Sequence, residues 1–281
     1  MNVKKKGVCN WLDDMIIPTR TFEQQLELLR ETFDCLRRGK LSVNLPKSEF
    51  FFSVVEWLGM VIDLFGVRPA PSKIEVITQL SQPSTVEEVR VLLGIAGYLR
   101  EFVPNYSSVL APISNLFRDP RFRTKKARIV KVPWGQTQTE AMETLVNLLT
   151  SPPILALPDW NKPFRLHADA SETGAGAVLT QVQEMVEKTL AYASHRWSKT
   201  DEKKSPTRRG CLAVLWAVDK FALYLQARPF TLITDCAALT WLFKSQALSA
   251  KYHRWALRLM QYDMELQWRP GSKHQFADAL S

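Results

Sequence analysis

The chain has 281 residues, which is enough for about two domains. Its net charge of +9 favours a polyanionic partner such as nucleic acid, although a solvated basic surface is the simpler alternative. No apolar run approaches the roughly 20 residues of a membrane span, so no membrane partner is expected. The four cysteines form no C-x-x-C pair and no signal peptide is evident, which predicts an intracellular protein, cytoplasmic or nuclear, with reduced thiols.

The first sixty residues predict a small mixed structure. Residues 8–17 are expected to form two short strands joined by a turn at Asp13-Asp14. A helix is expected over about residues 21–38, with Gly39 as its C-cap. Residues 50–62 are apolar and rich in strand-forming side chains. The helix assignment rests on apolar residues at helical spacing, namely Leu26, Leu29, Phe33 and Leu36.

The middle of the chain predicts helices. Thr85-Val86-Glu87-Glu88 has the pattern of a capping box and starts a helix that stops before Pro104. A second helix is expected over about residues 137–149. Between them, residues 121–131 form a basic loop, whose cations are either solvated or in contact with phosphates. A boundary follows at three prolines, Pro152, Pro153 and Pro158.

The last part of the chain alternates strands and helices, which predicts an α/β unit within an α+β chain. The predicted strand that starts at Phe164 ends on Asp169, and a later strand ends on Asp235. A long helix is expected between them, over about residues 207–225, and Asp278 lies near the C-terminus. Three carboxylates, two of them at strand ends, suit a site for two divalent cations. Taken singly, each is also explained as a turn former or a first-turn helix acid.

A further helix is expected around residues 251–259. Its apolar stripe suits a core face. Its opposite stripe is basic and suits either solvent or the phosphates of a nucleic acid. The two stripes are Tyr252, Trp255 and Leu259 on one side and Lys251, Arg254 and Arg258 on the other.

Seven short segments, taken in their order along the chain, resemble the motifs of one known protein family. They are Trp11-Leu12-Asp13-Asp14, Leu41–Lys47, Trp57-Leu58-Gly59, Val91–Phe102, Phe164–Gln181, Thr234-Asp235 and Ala277–Ser281. In this order they resemble the Tyr-x-Asp-Asp motif, a lysine-bearing segment, the primer grip, the thumb helix and three ribonuclease H motifs. The chain thus resembles the reverse transcriptase/ribonuclease H region of the pol polyprotein of gypsy-type LTR retrotransposons.

This resemblance implies three domains. They are a partial reverse-transcriptase palm in residues 1–66, a helical thumb and connection in 67–158, and a ribonuclease H-like mixed sheet flanked by helices in 163–281. It also implies RNA-directed DNA synthesis and metal-dependent cleavage of the RNA strand of RNA–DNA hybrids. The implied partners are such a hybrid or another nucleic acid, and the remainder of a pol polyprotein.

The resemblance also assigns the site residues. It implies Asp169, Asp235 and Asp278 as catalytic residues that hold Mg²⁺ or Mn²⁺, and Asp13 and Asp14 as the matching polymerase carboxylates.

Two departures from the family pattern lower the expected activity. Family members carry a glutamate just before a run like Cys211-Leu212-Ala213-Val214, and this chain has Gly210 there. Because the neighbours one helical turn away are not acidic, the two-metal site is expected to be incomplete and cleavage impaired. The family also has a polymerase carboxylate on a strand upstream of Tyr-x-Asp-Asp. This sequence begins eleven residues before Leu12, so an N-terminally truncated product without polymerase activity of its own is expected.

Two other classes of function stay open. The chain could be a nucleic-acid-binding module that does not cleave, or a degenerate fragment without a role. Salt-dependent affinity for RNA–DNA hybrid over duplex DNA would favour the binding module. Failure to obtain a soluble, cooperatively melting protein would favour the fragment.

Overall fold

The computed structural model describes residues 7–122, 124, 128–239 and 250–269. The chain divides into two compact units, Met1–Leu64 and Phe65–Ser281. Strands and helices are mixed along the chain, which confirms the predicted α/β class with an α+β arrangement overall. Among the described residues, no helix combines the length and the apolar character that crossing a membrane requires.

The first hairpin of unit 1 carries the two aspartates that were predicted to form its turn. Strands β1 (Cys9–Trp11) and β2 (Asp14–Ile16) pair antiparallel, with Trp11 opposite Asp14. This register leaves Leu12 and Asp13 as the turn residues, so the predicted turn at Asp13-Asp14 is one residue too late. Leu12 adopts a φ of 50°, a left-handed conformation that is uncommon for a residue with a β-carbon.

Helix α1 (Phe22–Arg38) confirms the helix predicted in unit 1. Thr21 caps it by accepting the Gln24 N–H, and Gly39 ends it. A second hairpin follows, made of β3 (Val55–Trp57) and β4 (Met60–Asp63). Its two-residue turn has a positive φ at both positions, 51° and 68°, at Leu58 and Gly59.

The strands predicted over residues 50–62 are shorter than expected. Residues 50–54 form no strand. The physical reason is the backbone at Phe51, whose φ of 64° interrupts an extended conformation. The ring of Phe51 packs instead against Phe22 of α1, with centroids 5.0 Å apart.

Unit 1 exposes many large apolar side chains. On the first hairpin, the exposed fraction is 61% for Trp11 and 86% for Leu12. Others are spread along the unit, at Phe22, Leu41, Leu45, Phe51, Phe52, Val54 and Leu64. An exposed hairpin edge together with exposed apolar side chains favours association between copies.

We therefore expect a chain spanning residues 65–281 to stay soluble at a higher concentration than the full chain. The reason is the removal of the apolar surface of unit 1. Light scattering and sedimentation over a concentration series measure the difference. A smaller change that also removes exposed apolar surface is Leu12→Asn in the full chain. Asparagine tolerates the left-handed backbone at this position. Equal solubility of the two chain lengths would contradict the prediction.

The first part of unit 2 is mainly helical, as predicted. Strand β5 (Gly66–Pro69) bridges to Leu155 through Val67. The capping box is confirmed, because Thr85 Oγ1 accepts the Glu88 N–H and the Glu88 carboxylate accepts the Thr85 N–H. The helices are α2 (Pro71–Thr78), α3 (Val86–Tyr98), α4 (Tyr106–Val109), α5 (Ala111–Ser114) and α6 (Gln136–Thr150).

The second part of unit 2 is a five-stranded mixed sheet. Its strands lie in the order β10-β9-β6-β7-β8. The strands β6, β7 and β8 pair antiparallel, whereas β6, β9 and β10 run parallel to one another. The bounds are β6 (Phe164–Ala170), β7 (Gly174–Gln183), β8 (Val186–Arg196), β9 (Phe230–Thr234) and β10 (Met264–Trp268).

In the described part of this region, the helices that accompany the sheet are α7 (Lys199–Glu202), α8 (Pro206–Lys220), α9 (Ala222–Leu225) and α10 (Ala250–Leu259). The single helix predicted over residues 207–225 is wrong, because the chain leaves helical geometry at Phe221 (φ −102°, ψ 17°). This break lets both Phe221 and Leu225 pack into the core. The core joins one face of the sheet to α8, through side chains such as Phe164, Leu166, Leu179, Val214, Val218 and Leu232.

Direct contacts fasten the helical part of unit 2 to the sheet. The Ser107 N–H donates to Ser194 Oγ at 2.8 Å, and Arg196 donates to Asn115 Oδ1 at 2.7 Å. Two ion pairs add to them, Arg118–Glu202 and Lys220–Glu101. The segment around α4 and α5 therefore lies on β8 as part of the same compact unit.

Candidate active site

Parallel pairing brings Asp169 and Asp235 to the same end of the sheet. In the register of β6 and β9, Phe164 lies opposite Phe230 and His167 opposite Ile233. Asp169 and Asp235 each follow two residues after that last pair. Neighbouring strands lie about 4.8 Å apart, and residues at matching positions share a face of the sheet. The last pair of this register lies two residues before both aspartates, so Asp169 and Asp235 both lie at the carboxyl edge of the sheet.

Backbone contacts hold both aspartates. The Asp169 carboxylate accepts the N–H of Ala170 at 2.7 Å. Beyond it the chain turns sharply, and Gly174 is needed there because a β-carbon would lie 2.6 Å from the carbonyl oxygen of His195. Asp235 is exposed, and its carbonyl oxygen accepts the indole N–H of Trp268 at 3.1 Å. The end of β10 thus supports the segment that carries Asp235.

Gly210 lies against the residue that follows Asp235. A β-carbon at position 210 would sit 2.8 Å from Cys236 Sγ and 3.1 Å from Cys236 Cβ. The helix position at which the resemblance implies a glutamate is therefore next to the carboxylate-bearing edge. No carboxylate is supplied there, because the residue is glycine.

The two arginines beside Gly210 have partners away from this position. Arg208 Nε donates to the hydroxyl of Tyr252 on α10 at 3.2 Å. Arg209 donates to the carbonyl oxygen of Glu172 at 3.1 Å, in the turn after β6. Both guanidinium groups thus border the candidate site.

The third predicted carboxylate, Asp278, lies outside the described residues. Among the residues that the structure describes, no group of three or more His, Cys, Asp or Glu side chains could hold a metal ion. The described part of the candidate site is the pair Asp169 and Asp235. Convergence of all three aspartates stays a prediction.

Asp13 and Asp14 are both exposed on the first hairpin of unit 1. Asp13 is in the turn and Asp14 starts β2. No contact of the described residues adds a third carboxylate to them within unit 1. Their polymerase role stays a prediction.

The sequence analysis missed a charged cluster on β6 and its neighbours. Glu187 accepts hydrogen bonds from Arg165 at 3.0 Å and from Thr180 at 2.6 Å, and its Oε1 lies 2.8 Å from His167 Nε2. His167 is fully buried, and the Glu187 side chain is only 19% exposed. The sequence feature that could have indicated this cluster is the alternation of Arg165 and His167 with apolar residues along β6.

These partners shift the acidity of Glu187. The hydrogen bond to His167, with smaller contributions from Thr180 and the Arg165 charge, lowers the pKa of Glu187 to about 2, against the opposing effect of burial. Glu187 therefore stays ionised well into acidic solution and joins three strands through one carboxylate.

Comparison with known proteins identifies the sheet-containing part of unit 2. Residues 159–262 match the RNase H-like domain found in reverse transcriptase. The chain is 33% identical to the retrovirus-related Pol polyprotein from transposon opus of Drosophila melanogaster, over 96% of this chain and 27% of that protein. It is 30% identical to the transposon Tf2-3 polyprotein of Schizosaccharomyces pombe, over 99% of this chain and 21% of that protein. The chain thus spans about a quarter of these relatives.

A solved structure shares the fold. The foamy viral protease-reverse transcriptase in complex with RNA/DNA hybrid aligns with a TM-score of 0.80 and 23% identity, over 96% of this chain and 36% of that chain. This likeness confirms the predicted ribonuclease H-like architecture. The sequence matches show that residues 159–262 form an RNase H-like domain of the kind found in reverse transcriptase, and that nearly the whole chain is homologous to part of the Pol polyproteins of LTR retrotransposons such as opus, gypsy and Tf2.

Proposed function

We propose that this chain acts as part of a longer Pol polyprotein. Its ribonuclease H-like domain would cleave the RNA strand of RNA–DNA hybrids with divalent metal ions, at a rate impaired by Gly210. The observation that supports this proposal is the parallel register of β6 and β9, whose last pair precedes both Asp169 and Asp235 by two residues at one edge of the sheet. Polymerisation, in which Asp13 and Asp14 would take part, belongs in this proposal to the longer polyprotein.

The chemistry of these side chains fits a hard divalent cation. Carboxylate oxygens are the ligands that Mg²⁺ and Mn²⁺ prefer, and two of them lie at one edge of the sheet. In the proposed site Asp169, Asp235 and Asp278 would hold the metal ions. Metal bound there would stabilise charge on the attacking and leaving oxygens of a phosphodiester.

Hydrogen bonds restrain the Asp169 side chain and the main chain that carries Asp235. The Ala170 N–H restricts the Asp169 side chain, and the Trp268 indole fixes the main chain at Asp235. Gly210 leaves one side of this edge without a carboxylate. We therefore expect metal to bind more weakly, and cleavage to be slower, than a four-carboxylate site would give.

We expect Asp169→Asn and Asp235→Asn each to weaken Mn²⁺ binding at least about tenfold, because each removes a charged oxygen ligand. Titration calorimetry measures the affinity, and a labelled RNA strand in a hybrid reports cleavage with Mg²⁺ and with Mn²⁺. The matched control is Asp13→Asn, which removes the same charge in unit 1 and should change neither result. Unchanged metal affinity in both site variants would contradict the proposed site.

One observation favours a second function, hybrid binding without cleavage. Arg208 of α8 contacts Tyr252 of α10 near the candidate site, and the exposed Arg254 lies two residues after Tyr252 on α10. Such an edge could contact phosphates without any metal chemistry. Hybrid binding in EDTA, measured over a salt series, separates the two functions. Arg254→Gln should reduce the salt slope by about one if Arg254 contacts a phosphate.

A further inference from the structure

Two free cysteines face each other beside the candidate site. Cys211 lies on α8 directly after Gly210, and Cys236 follows β9 directly after Asp235. Their sulfur atoms are 3.9 Å apart. Cys211 is 2% exposed and Cys236 is 8% exposed, and neither takes part in the proposed cleavage.

The backbone keeps the two thiols together. The Cys236 N–H donates to Thr234 Oγ1 at 3.2 Å, which holds the turn after β9. Position 210 has no side chain, and a β-carbon there would meet Cys236 Sγ at 2.8 Å. Gly210 therefore leaves the space in which the Cys236 thiol approaches α8.

We propose that Cys211 and Cys236 form a reversible intramolecular disulfide when the protein meets a low-molecular-weight disulfide such as glutathione disulfide. We further infer that this bond changes the affinity of the adjacent Asp235 for divalent metal, a step that rests on the proposed function.

The reaction balances with one molecule of glutathione disulfide. The better exposed Cys236 attacks it, forms a mixed disulfide and releases one glutathione thiol. Cys211 then attacks the Cys236 sulfur, and the second glutathione thiol leaves. Two protein S–H bonds and one glutathione S–S bond break, one protein S–S bond forms, and two electrons and two protons pass to glutathione.

The geometry needs only a local adjustment. A disulfide bond is about 2.05 Å long, so the sulfurs must approach by about 1.9 Å. Turning of both cysteine side chains supplies part of this approach, and a shift of the turn that carries Cys236 supplies the rest. Because Asp235 is the preceding residue, such a shift moves its carboxylate relative to Asp169.

The first test measures the bond itself. In Cys9→Ser/Cys35→Ser protein only two thiols remain, so oxidation by glutathione disulfide should remove both and lower the mass by about two hydrogen atoms. Peptide mapping should find Cys211 joined to Cys236, and dithiothreitol should reverse it. The bond closes a loop of about 26 residues, so Tm should rise by about 5–10 °C. Persistent glutathione adducts, disulfide-linked dimers or unreacted thiols would overturn the proposal.

The second test measures the coupling to Asp235. Mn²⁺ affinity is compared between the reduced and oxidised forms, and we expect a change of at least about threefold. Cys236→Ser protein treated in the same way is the control, because it lacks the thiol that attacks glutathione disulfide, and it should show no change. A mapped disulfide with unchanged Mn²⁺ affinity would overturn the coupling. Absence of Mn²⁺ binding in the reduced protein would count against the proposed function and leave the disulfide result standing.

Discussion

The double variant Gly210→Glu/Cys236→Ala is expected to raise Mg²⁺-dependent cleavage of an RNA–DNA hybrid by about 100- to 1,000-fold over the unmodified chain. Removing a single group that stabilises charge in a transition state costs rates of this order, so supplying one should recover a similar factor. Cys236→Ala is included because a β-carbon at position 210 would lie 2.8 Å from the Cys236 sulfur. We expect Gly210→Glu alone to recover less.

Two further variants test whether the added carboxylate causes the increase in cleavage. Gly210→Gln/Cys236→Ala has nearly the same shape without the charge and should stay close to the unmodified chain. Adding Asp169→Asn to the active double variant should abolish the gained cleavage. Equal activity of the Glu and Gln variants would show that packing, and not a missing carboxylate, limits the rate.

Glu187→Gln is expected to lower the free energy of unfolding by about 2–3 kcal/mol at neutral pH. The change removes the charge that Arg165 and His167 contact, while keeping a side chain of similar size. Urea or thermal unfolding measures the loss. Glu184→Gln is the matched control, because Glu184 is exposed and its pair with Lys188 should contribute little.

The lowered pKa of Glu187 predicts how the free energy of unfolding depends on pH. The folded protein lowers the pKa of Glu187 to about 2 from an ordinary value of 4.5, so its contribution is fully present above about pH 4.5. It is lost as the pH falls from there through the folded pKa. The stability difference between the unmodified chain and Glu187→Gln should therefore shrink below pH 4.5. A constant difference down to pH 2 would contradict this assignment.

The aspartates at strand ends could be predicted from the sequence because their signal is local. A run of strand-forming residues that stops on an acid identifies Asp169 and Asp235 one at a time. That β9 pairs in parallel with β6, and so brings the two to one edge of the sheet, depends on contacts across more than sixty residues. The resemblance to a family supplied this pairing, and strand pattern alone did not.

Two features could not be predicted from local sequence patterns because they depend on tertiary contacts. Glu187 looks like an ordinary solvent-facing acid next to a hairpin turn, and only the pairing of β8 with β7 and of β7 with β6 brings it to Thr180 and His167. Likewise, a glycine at position 210 of the sequence indicates only that a glutamate is missing and that the helix is weakened. Its contact with Cys236 arises where α8 crosses the end of β9.

The contacts between residues 107–118 and the sheet show that the compact structural unit extends beyond the region that matches the family. The family match covers residues 159–262, whereas the compact unit starts at Phe65. Ser107, Asn115 and Arg118 hold β8 and α7 from outside the matched region. A protease that nicks the connecting segment around residue 152 would therefore leave two fragments that still migrate together under native conditions. The start of the family match and the start of the compact unit lie about ninety residues apart.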